Sequence, residues 1–202
     1  MKDYLYEFEY DPIYCYPNST VLKNKLNIKE ADALCEAERE ITAMRIAQAS
    51  MNPIQGKYDT AHLKRIHHFL FGDIYAWAGK TRTVNISKGT PFCLHQFIDT
   101  NLDALFLQLK SEKYLAEYEA VETLARRLSY YLAGVNAIHP FREGNGRSQR
   151  LFISMLSNAR GYDLNFDLIT TEEMLEAGML SFRNDYRLLD SLMMRIIEKS
   201  EE

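Results

Sequence analysis

Residues 139–150 read His-Pro-Phe-Arg-Glu-Gly-Asn-Gly-Arg-Ser-Gln-Arg, a run holding a candidate base, a carboxylate, two glycines around an asparagine and, after them, the two arginines Arg147 and Arg150. An apolar segment ends near Ile138 and another begins near Ser148, so the run reads as a loop feeding a helix N-terminus. The first turn of a helix carries unpaired backbone N–H groups and the positive end of the dipole, which together favour an anion. Gly144 and Gly146 let the backbone curl into a concave nest and come close to a phosphate. Residue types and spacing point to phosphate chemistry.

His139 is suited to proton abstraction near neutral pH. An isolated histidine is more often one satisfied by a carbonyl, but the acid, the nest and the arginines beside it favour a general base. Glu143 suits Mg²⁺, which takes one or two carboxylates together with phosphate oxygens and water. Zinc is disfavoured, because no third strong ligand lies nearby. Arg147 and Arg150 share one face of a first helical turn, where two cations oppose the dipole. The conflict is relieved if both grip an anion through their guanidinium N–H groups. His62, His67 and His68 have no Asp, Glu or Cys at metal spacing and read as packing or surface residues. Met193 and Met194 read as core, and Tyr130 and Tyr131 as core and surface aromatics.

The elements that must position this run are mostly helical. Residues 1–26, rich in tyrosine and carrying Pro12 and Pro17, read as an arm packed by its aromatics. Asn27 can cap a helix running to about 50, ended by the turn at 52–56. Asp59 or Thr60 can start a second helix as far as Trp77, closed by Gly79. Over residues 81–92 the period changes: Val84 and Ile86 alternate with polar residues and Lys88-Gly89 supplies a turn, which predicts a hairpin with exposed edges. Further helices are expected over about 95–110, 117–138, 147–160, 171–181 and 184–199, with Gly161 as a C-terminal cap. Residues 183–186 (Arg-Asn-Asp-Tyr) either reach a ligand pocket or cap the last helix. The expectation is a single, mainly α domain with one small β excursion.

A chain of 202 residues with 47% apolar and 26% charged residues can bury a sizeable core. A net charge of −4 argues against sequence-independent nucleic-acid binding, which needs Lys and Arg to neutralise phosphates. Cys15, Cys35 and Cys93 form no CxxC pair, consistent with reduced thiols in a cytosol. No apolar run has membrane-spanning length and no signal peptide is evident, so a cytoplasmic protein is expected.

The run at 139–150 resembles the signature of Fic-domain proteins, HPFx(D/E)GNGRxxR, at every fixed position. Asp11-Pro12 and residues 22–26 (Leu-Lys-Asn-Lys-Leu) resemble the N-terminal part of compact bacterial Fic toxins. Residues 74–79 (Ile-Tyr-Ala-Trp-Ala-Gly) and the hairpin with Lys88, Gly89 and Phe92 resemble the family's second helix and its flap. The resemblance implies a single Fic domain over 1–202: a helical bundle with a small β-hairpin flap beside the active site. It implies protein adenylylation, with AMP moving from ATP to a Tyr, Thr or Ser hydroxyl of a target protein and pyrophosphate leaving.

In that reading His139 is the base and Glu143 holds Mg²⁺. Gly144, Asn145 and Gly146 cradle the phosphates, Arg147 and Arg150 steady the β/γ end, and Lys88 and Gly89 lie near the nucleotide. The flap residues Val84, Asn85, Ile86 and Ser87 dock the target segment in extended form. A relative, the Doc toxin, has lysine where this chain has Gly146 and phosphorylates instead, so Gly146 favours AMP transfer. Other donors (UMP, phosphocholine) stay open, and a silent binding module is the rival from another class.

Many Fic proteins carry an inhibitory helix, (S/T)xxxE(G/N), and this sequence has no such segment. A small separate antitoxin supplying that helix against Arg150 is therefore expected. A type II DNA topoisomerase is one candidate target. A host GTPase is another, if the chain is a piece of a secreted effector.

Overall fold

The computed structural model describes residues 11–200. Seven α-helices and four short strands succeed one another there: α1 (Ala31–Met51), α2 (Thr60–Phe71), β1 (Ser87–Lys88), β2 (Thr90–Pro91), α3 (Ile98–Ser111), α4 (Val121–Ile138), α5 (Asn145–Asn158), β3 (Tyr162–Leu164), α6 (Thr171–Ser181), α7 (Arg187–Ile196) and β4 (Ile197–Lys199). Helix α4 is central because it is apolar on most of its circumference. Leu124, Leu128, Tyr131, Leu132 and Val135 are all buried, and the helix packs against α3, α5, α6 and α7. Each such side chain withdrawn from water stabilises the fold by roughly 1.5–3 kcal/mol. Helix α7 is one-sided: Leu189, Leu192, Met193 and Ile196 are buried, while Arg187, Met194 and Arg195 face outward.

The mainly helical expectation holds, with local corrections. Helix α1 begins at Ala31 and is not capped by Asn27, which is left-handed with φ +58°. The Asn24 amide donates to the Leu22 and Ile28 carbonyls and accepts the Ile28 N–H, and this side-chain-held turn delays the helix. Helix α2 is capped as expected by Asp59, which accepts the His62 N–H at 2.8 Å, but it stops at Phe71 rather than Trp77. Lys25 captures the chain there, donating its backbone N–H to Ile74 O and its Nζ to Gly72 O. Gly79 closes this turn rather than a helix. Its φ is +81°, and a Cβ would lie 2.9 Å from the His68 Cβ.

The flap is a hairpin with Gly89 at its turn, smaller than expected, with registers Ser87↔Pro91 and Lys88↔Thr90. Val84 lies outside the ladder because its carbonyl is taken by the Arg82 guanidinium. Helix α4 starts at Val121 rather than 117, and α5 spans 145–158 rather than 147–160. Helix α7 is shorter than 184–199, since residues 197–199 leave it and pair antiparallel with β3. Among the described residues there are therefore two small sheets, not one. Of residues 183–186, Asp185 meets the start of α7, its carboxylate accepting the Arg187 N–H at 3.2 Å.

Residues 1–10 of the N-terminal arm lie outside the described residues. From Asp11 the arm packs by Tyr14, Cys15, Val21 and Leu22, all buried. Asp11 Oδ1 accepts the N–H groups of Ile13 and Tyr14 at 3.1 Å, and Oδ2 receives Arg142 Nε at 2.9 Å. Both side chains of this ion pair are about 95% buried, so the arm is clamped onto the loop after α4. Removing one member of a buried pair leaves the other charge poorly solvated and costs about 3–5 kcal/mol. Asp11→Ala is therefore expected to lower the unfolding free energy by roughly 3 kcal/mol in denaturant titration; a loss under about 1 kcal/mol would contradict the clamp.

Candidate active site

The link from α4 to α5 reverses the chain within residues 139–144. His139 caps α4 in the left-handed region (φ +50°, ψ +63°), a conformation costing a non-glycine residue about 1–3 kcal/mol. The buried Arg82 guanidinium holds it there. Its Nε donates to His139 O at 2.9 Å and its Nη2 to Ile138 O at 3.2 Å, while Arg82 N donates to Pro140 O at 2.8 Å. The same guanidinium donates to Val84 O (2.6 Å) and Cys93 O (2.5 Å), the two ends of the flap segment.

Gly144, φ +80°, precedes α5, and a Cβ there would stand 2.3 Å from the Phe71 ring, so only glycine fits. The Asn145 amide spans the reversal, accepting the Phe141 N–H and donating to the Phe141 carbonyl, both at 2.8 Å. The Asn145 side chain thereby holds the loop that presents the nest.

The His139 ring is buried and stacked on Phe92 of the flap, with centroids 3.8 Å apart. Nδ1 lies 3.2 Å from the Asn136 carbonyl, which can only accept, so the proton sits on Nδ1 and Nε2 is the acceptor. Burial, reinforced by the nearby positive charges of Lys88 and Arg82, pulls its pKa down to about 3. The imidazole is neutral at physiological pH and available as a base.

Glu143 Oε1 accepts the Gly144 N–H at 2.8 Å and lies 3.8 Å from Arg147. Burial and the neighbouring Glu38 carboxylate raise its pKa, against the opposing pull of Arg147. Arg147 pairs with Glu38, donates to Thr42 Oγ1 at 3.1 Å, and lies over the Phe71 ring. Arg150 makes no hydrogen bond or ion pair among the described residues, and burial beside Arg147 lowers its pKa. No cluster of three or more metal-ligating side chains occurs among the described residues. A cation that takes one carboxylate and draws its other ligands from phosphate and water fits Glu143, whose disfavoured negative charge it would offset.

These groups line a cavity of about 580 Å³. It brings together Lys88, His139, Glu143, Gly144, Gly146, Arg147 and Arg150, and Met174, Gly178 and Met179 of α6, with Phe182 just after it, give it an apolar wall. Gly89, Val84, Asn85, Ile86 and Ser87 do not line it, and the Ile86 side chain is buried under the flap. The sequence reading missed Glu38, Thr42, Arg82 and the α6 wall, whose parts in the site come from distant pairings. His67 packs between Phe71 and Phe141, as a packing residue should, and also braces the site. Its Nδ1 accepts the Gly79 N–H, so Nε2–H donates to Glu143 O at 2.9 Å.

A model of the Fic/DOC family matches residues 57–157. A Sinorhizobium fredii protein named "Probable protein adenylyltransferase" is 38% identical over 93% of this chain and 96% of its own length. An Escherichia coli K12 protein of the same kind is 34% identical over 95% of this chain and 94% of its own. Among solved structures, the N-terminal Fic domain of a VirB-translocated Bep effector from Bartonella quintana, with bound ADP, superposes with a TM-score of 0.88. It is 31% identical and covers 93% of this chain and 95% of that one. The BepC protein of Bartonella tribocorum, with bound AMPPNP, also gives 0.88, at 26% identity over 93% of this chain and 97% of that one.

His67, like His139, is held neutral by burial, with its pKa pulled down to about 3. Both titrate near 6.5 when unfolded, so between pH 6.5 and 3 the unfolded chain binds more protons and stability falls as pH drops. Each histidine contributes a loss of roughly 2 kcal/mol between pH 7 and 5, while Glu143, raised when folded, works in the opposite sense. Asn tolerates a left-handed backbone, so His139→Asn should fold and should lose roughly 2 kcal/mol less than wild type over that interval. Equal pH dependence of the two unfolding free energies would contradict a neutral, buried His139.

Proposed function

The chain belongs to the Fic/DOC family, and we propose that it is a protein adenylyltransferase moving AMP from ATP to a hydroxyl side chain of a target protein. The observation that carries this reading is a neutral histidine, with Nε2 as acceptor, sharing one cavity with a helix N-terminus and two arginines. The target oxygen attacks the α-phosphorus, and the hydroxyl proton passes to His139 Nε2. The bond from the α-phosphorus to the bridging oxygen breaks, its electron pair leaving with pyrophosphate.

Backbone N–H groups in the first turn of α5, that of Gly146 among them, with Arg147 and Arg150, hold the phosphates and meet the charge that builds on the leaving group. Glu143 would hold Mg²⁺, which when bound supplies further positive charge to the phosphates. Gly146 lies in regular helix, where a Cβ would stand 3.3 Å from Arg150 Nη1, so the nest beside Arg150 is kept clear of a side chain. That supports AMP transfer over phosphoryl transfer.

The flap supports target docking. Each of its strands has one pairing partner, and Thr90 and Pro91 are exposed, which leaves an edge for an extended segment. We further read the protein as the toxin of a pair, acting in the bacterial cytosol, with a type II DNA topoisomerase as the first target to assay. A separate small antitoxin would place its inhibitory helix near Arg150. Two observations favour this: the absence of an (S/T)xxxE(G/N) segment, and a second cavity lined by Arg150 together with Ile46, Tyr58 and Leu151. Among the described residues no helix is long and apolar enough to cross a membrane. A purified chain that stayed inactive until a segment of itself was deleted would refute inhibition by a separate protein.

Incubation with Mg²⁺, bacterial lysate and ATP labelled on the α- or the γ-phosphate tests the reaction. Label entering a target only from the α position, and lost in His139→Ala, is the expected result. Label only from the γ position would make the protein a kinase, and added mass other than AMP would identify a different donor.

A further inference from the structure

We propose that Glu38, on α1, is a positioning residue for Arg147, held in its own place by Tyr75; the proposal rests on the AMP-transfer reading of the site. Glu38 is only 8% exposed, and a carboxylate that deeply buried persists only when its charge and lone pairs are met. Oε1 receives Arg147 Nη2, and Oε2 receives the Tyr75 hydroxyl at 2.5 Å. Thr42, one turn along the same face of α1, accepts Arg147 Nη1 at 3.1 Å and donates its own hydroxyl to Glu38 O at 2.7 Å. The Phe71 ring lies 4.7 Å from the guanidinium carbon. Tyr75 is buried beside Glu38, both of which raise its pKa far above the physiological range, so it remains a donor.

A guanidinium has five N–H donors. The α1 pair takes two, leaving three uncommitted to hydrogen bonds on a side chain that lines the cavity, with Glu143 Oε1 at 3.8 Å. As a mere stabiliser this arrangement would be poor, because desolvating two charges largely offsets their attraction. Its significance lies in the contrast with Arg150, on the same face of α5. Arg150 makes no hydrogen bond or ion pair among the described residues, whereas Arg147 is fixed in one pose before any nucleotide arrives. Donors fixed in advance act on charge that develops in the transition state, here on the departing pyrophosphate, more than on ground-state binding. Glu38 therefore serves turnover rather than nucleotide affinity.

Glu38→Gln and Tyr75→Phe, each made in wild type and in Arg147→Ala, test this, with AMP-transfer kinetics, AMPPNP binding and the ¹⁵N spectrum of the Arg147 guanidinium as readouts. In the wild-type background Glu38→Gln should lower kcat by about 10- to 100-fold, the size expected when a catalytic group is misplaced by about 1 Å, with the KM for ATP and the Kd for AMPPNP within about threefold. In the Arg147→Ala background the same change should lower kcat by less than about twofold, because the group it positions is gone. Tyr75→Phe should follow the same pattern with a smaller loss, about 3- to 10-fold, and carries the test if Glu38→Gln does not fold.

A kcat within twofold of wild type, or an equal loss in both backgrounds, would overturn the proposal, as would a lowered Tm with turnover unchanged. Absence of AMP transfer by the wild-type chain would instead sink the proposed function. The positioning claim would then be decided by the Arg147 spectrum. Resolved Nη signals in wild type that merge in Glu38→Gln uphold it, and signals that stay resolved refute it.

Discussion

Every group in the cavity depends on one backbone reversal between α4 and α5, and that reversal depends on His139 keeping a left-handed conformation at the end of its helix. The conformation is unfavourable for a residue with a side chain. Arg82 overcomes this by donating to the carbonyls that the reversal exposes, those of residues 138, 139 and 140, through its side chain and its backbone N–H. The same guanidinium gathers carbonyls from both sides of the flap. His139, proposed as the base, and the surface proposed to present its substrate are thus parts of one hydrogen-bonded unit, with Phe92 stacked on the imidazole as its apolar contact. On the far side of the reversal Asn145 and Gly144 set the start of α5, and the Arg142–Asp11 pair ties the loop to the N-terminal arm.

The electrostatics follow from that geometry. Lys88, Arg147 and Arg150 line the cavity against two carboxylates, Glu143 and Asp167, and the backbone N–H groups at the start of α5 add partial positive charge. A triphosphate answers this excess. The carboxylate of Glu38 lies behind Arg147 and is shared with Tyr75, so it steadies one cation from the protein side while Arg150 is left to the ligand. Histidine neutrality comes from the same environment: burial and flanking cations disfavour imidazolium, which keeps the base unprotonated.

The polar groups at the α4–α5 end of the cavity were legible in the sequence because they are close together in the chain. His139, Glu143, Gly144, Gly146, Arg147 and Arg150 stand within twelve consecutive residues, and the cavity gathers all six. The bonds of Asn145 to the Phe141 backbone were not legible, because a side-chain amide serves a ligand or a neighbouring backbone equally well. Glu38, Arg82 and Asp11 escaped because their partners lie 109, 57 and 131 residues away, and nothing in a helical or loop pattern announces such a pairing. Helix ends were misjudged where tertiary hydrogen bonds override propensity, as at Phe71, where Lys25 captures the following turn. Strand β4 was hidden for a related reason: Ile197 continues the apolar period of α7, and only the partner strand at residues 162–164 draws it out.

The central claim is that His139 stands beside the α-phosphate. The most direct measurement is a crystal structure of the protein with AMPPNP and Mg²⁺. The account predicts the α-phosphorus next to His139 Nε2, with the β/γ end on Arg147 and Arg150 and the in-line approach open from the flap side. A nucleotide bound in reverse, with its γ-phosphate beside His139, would contradict it.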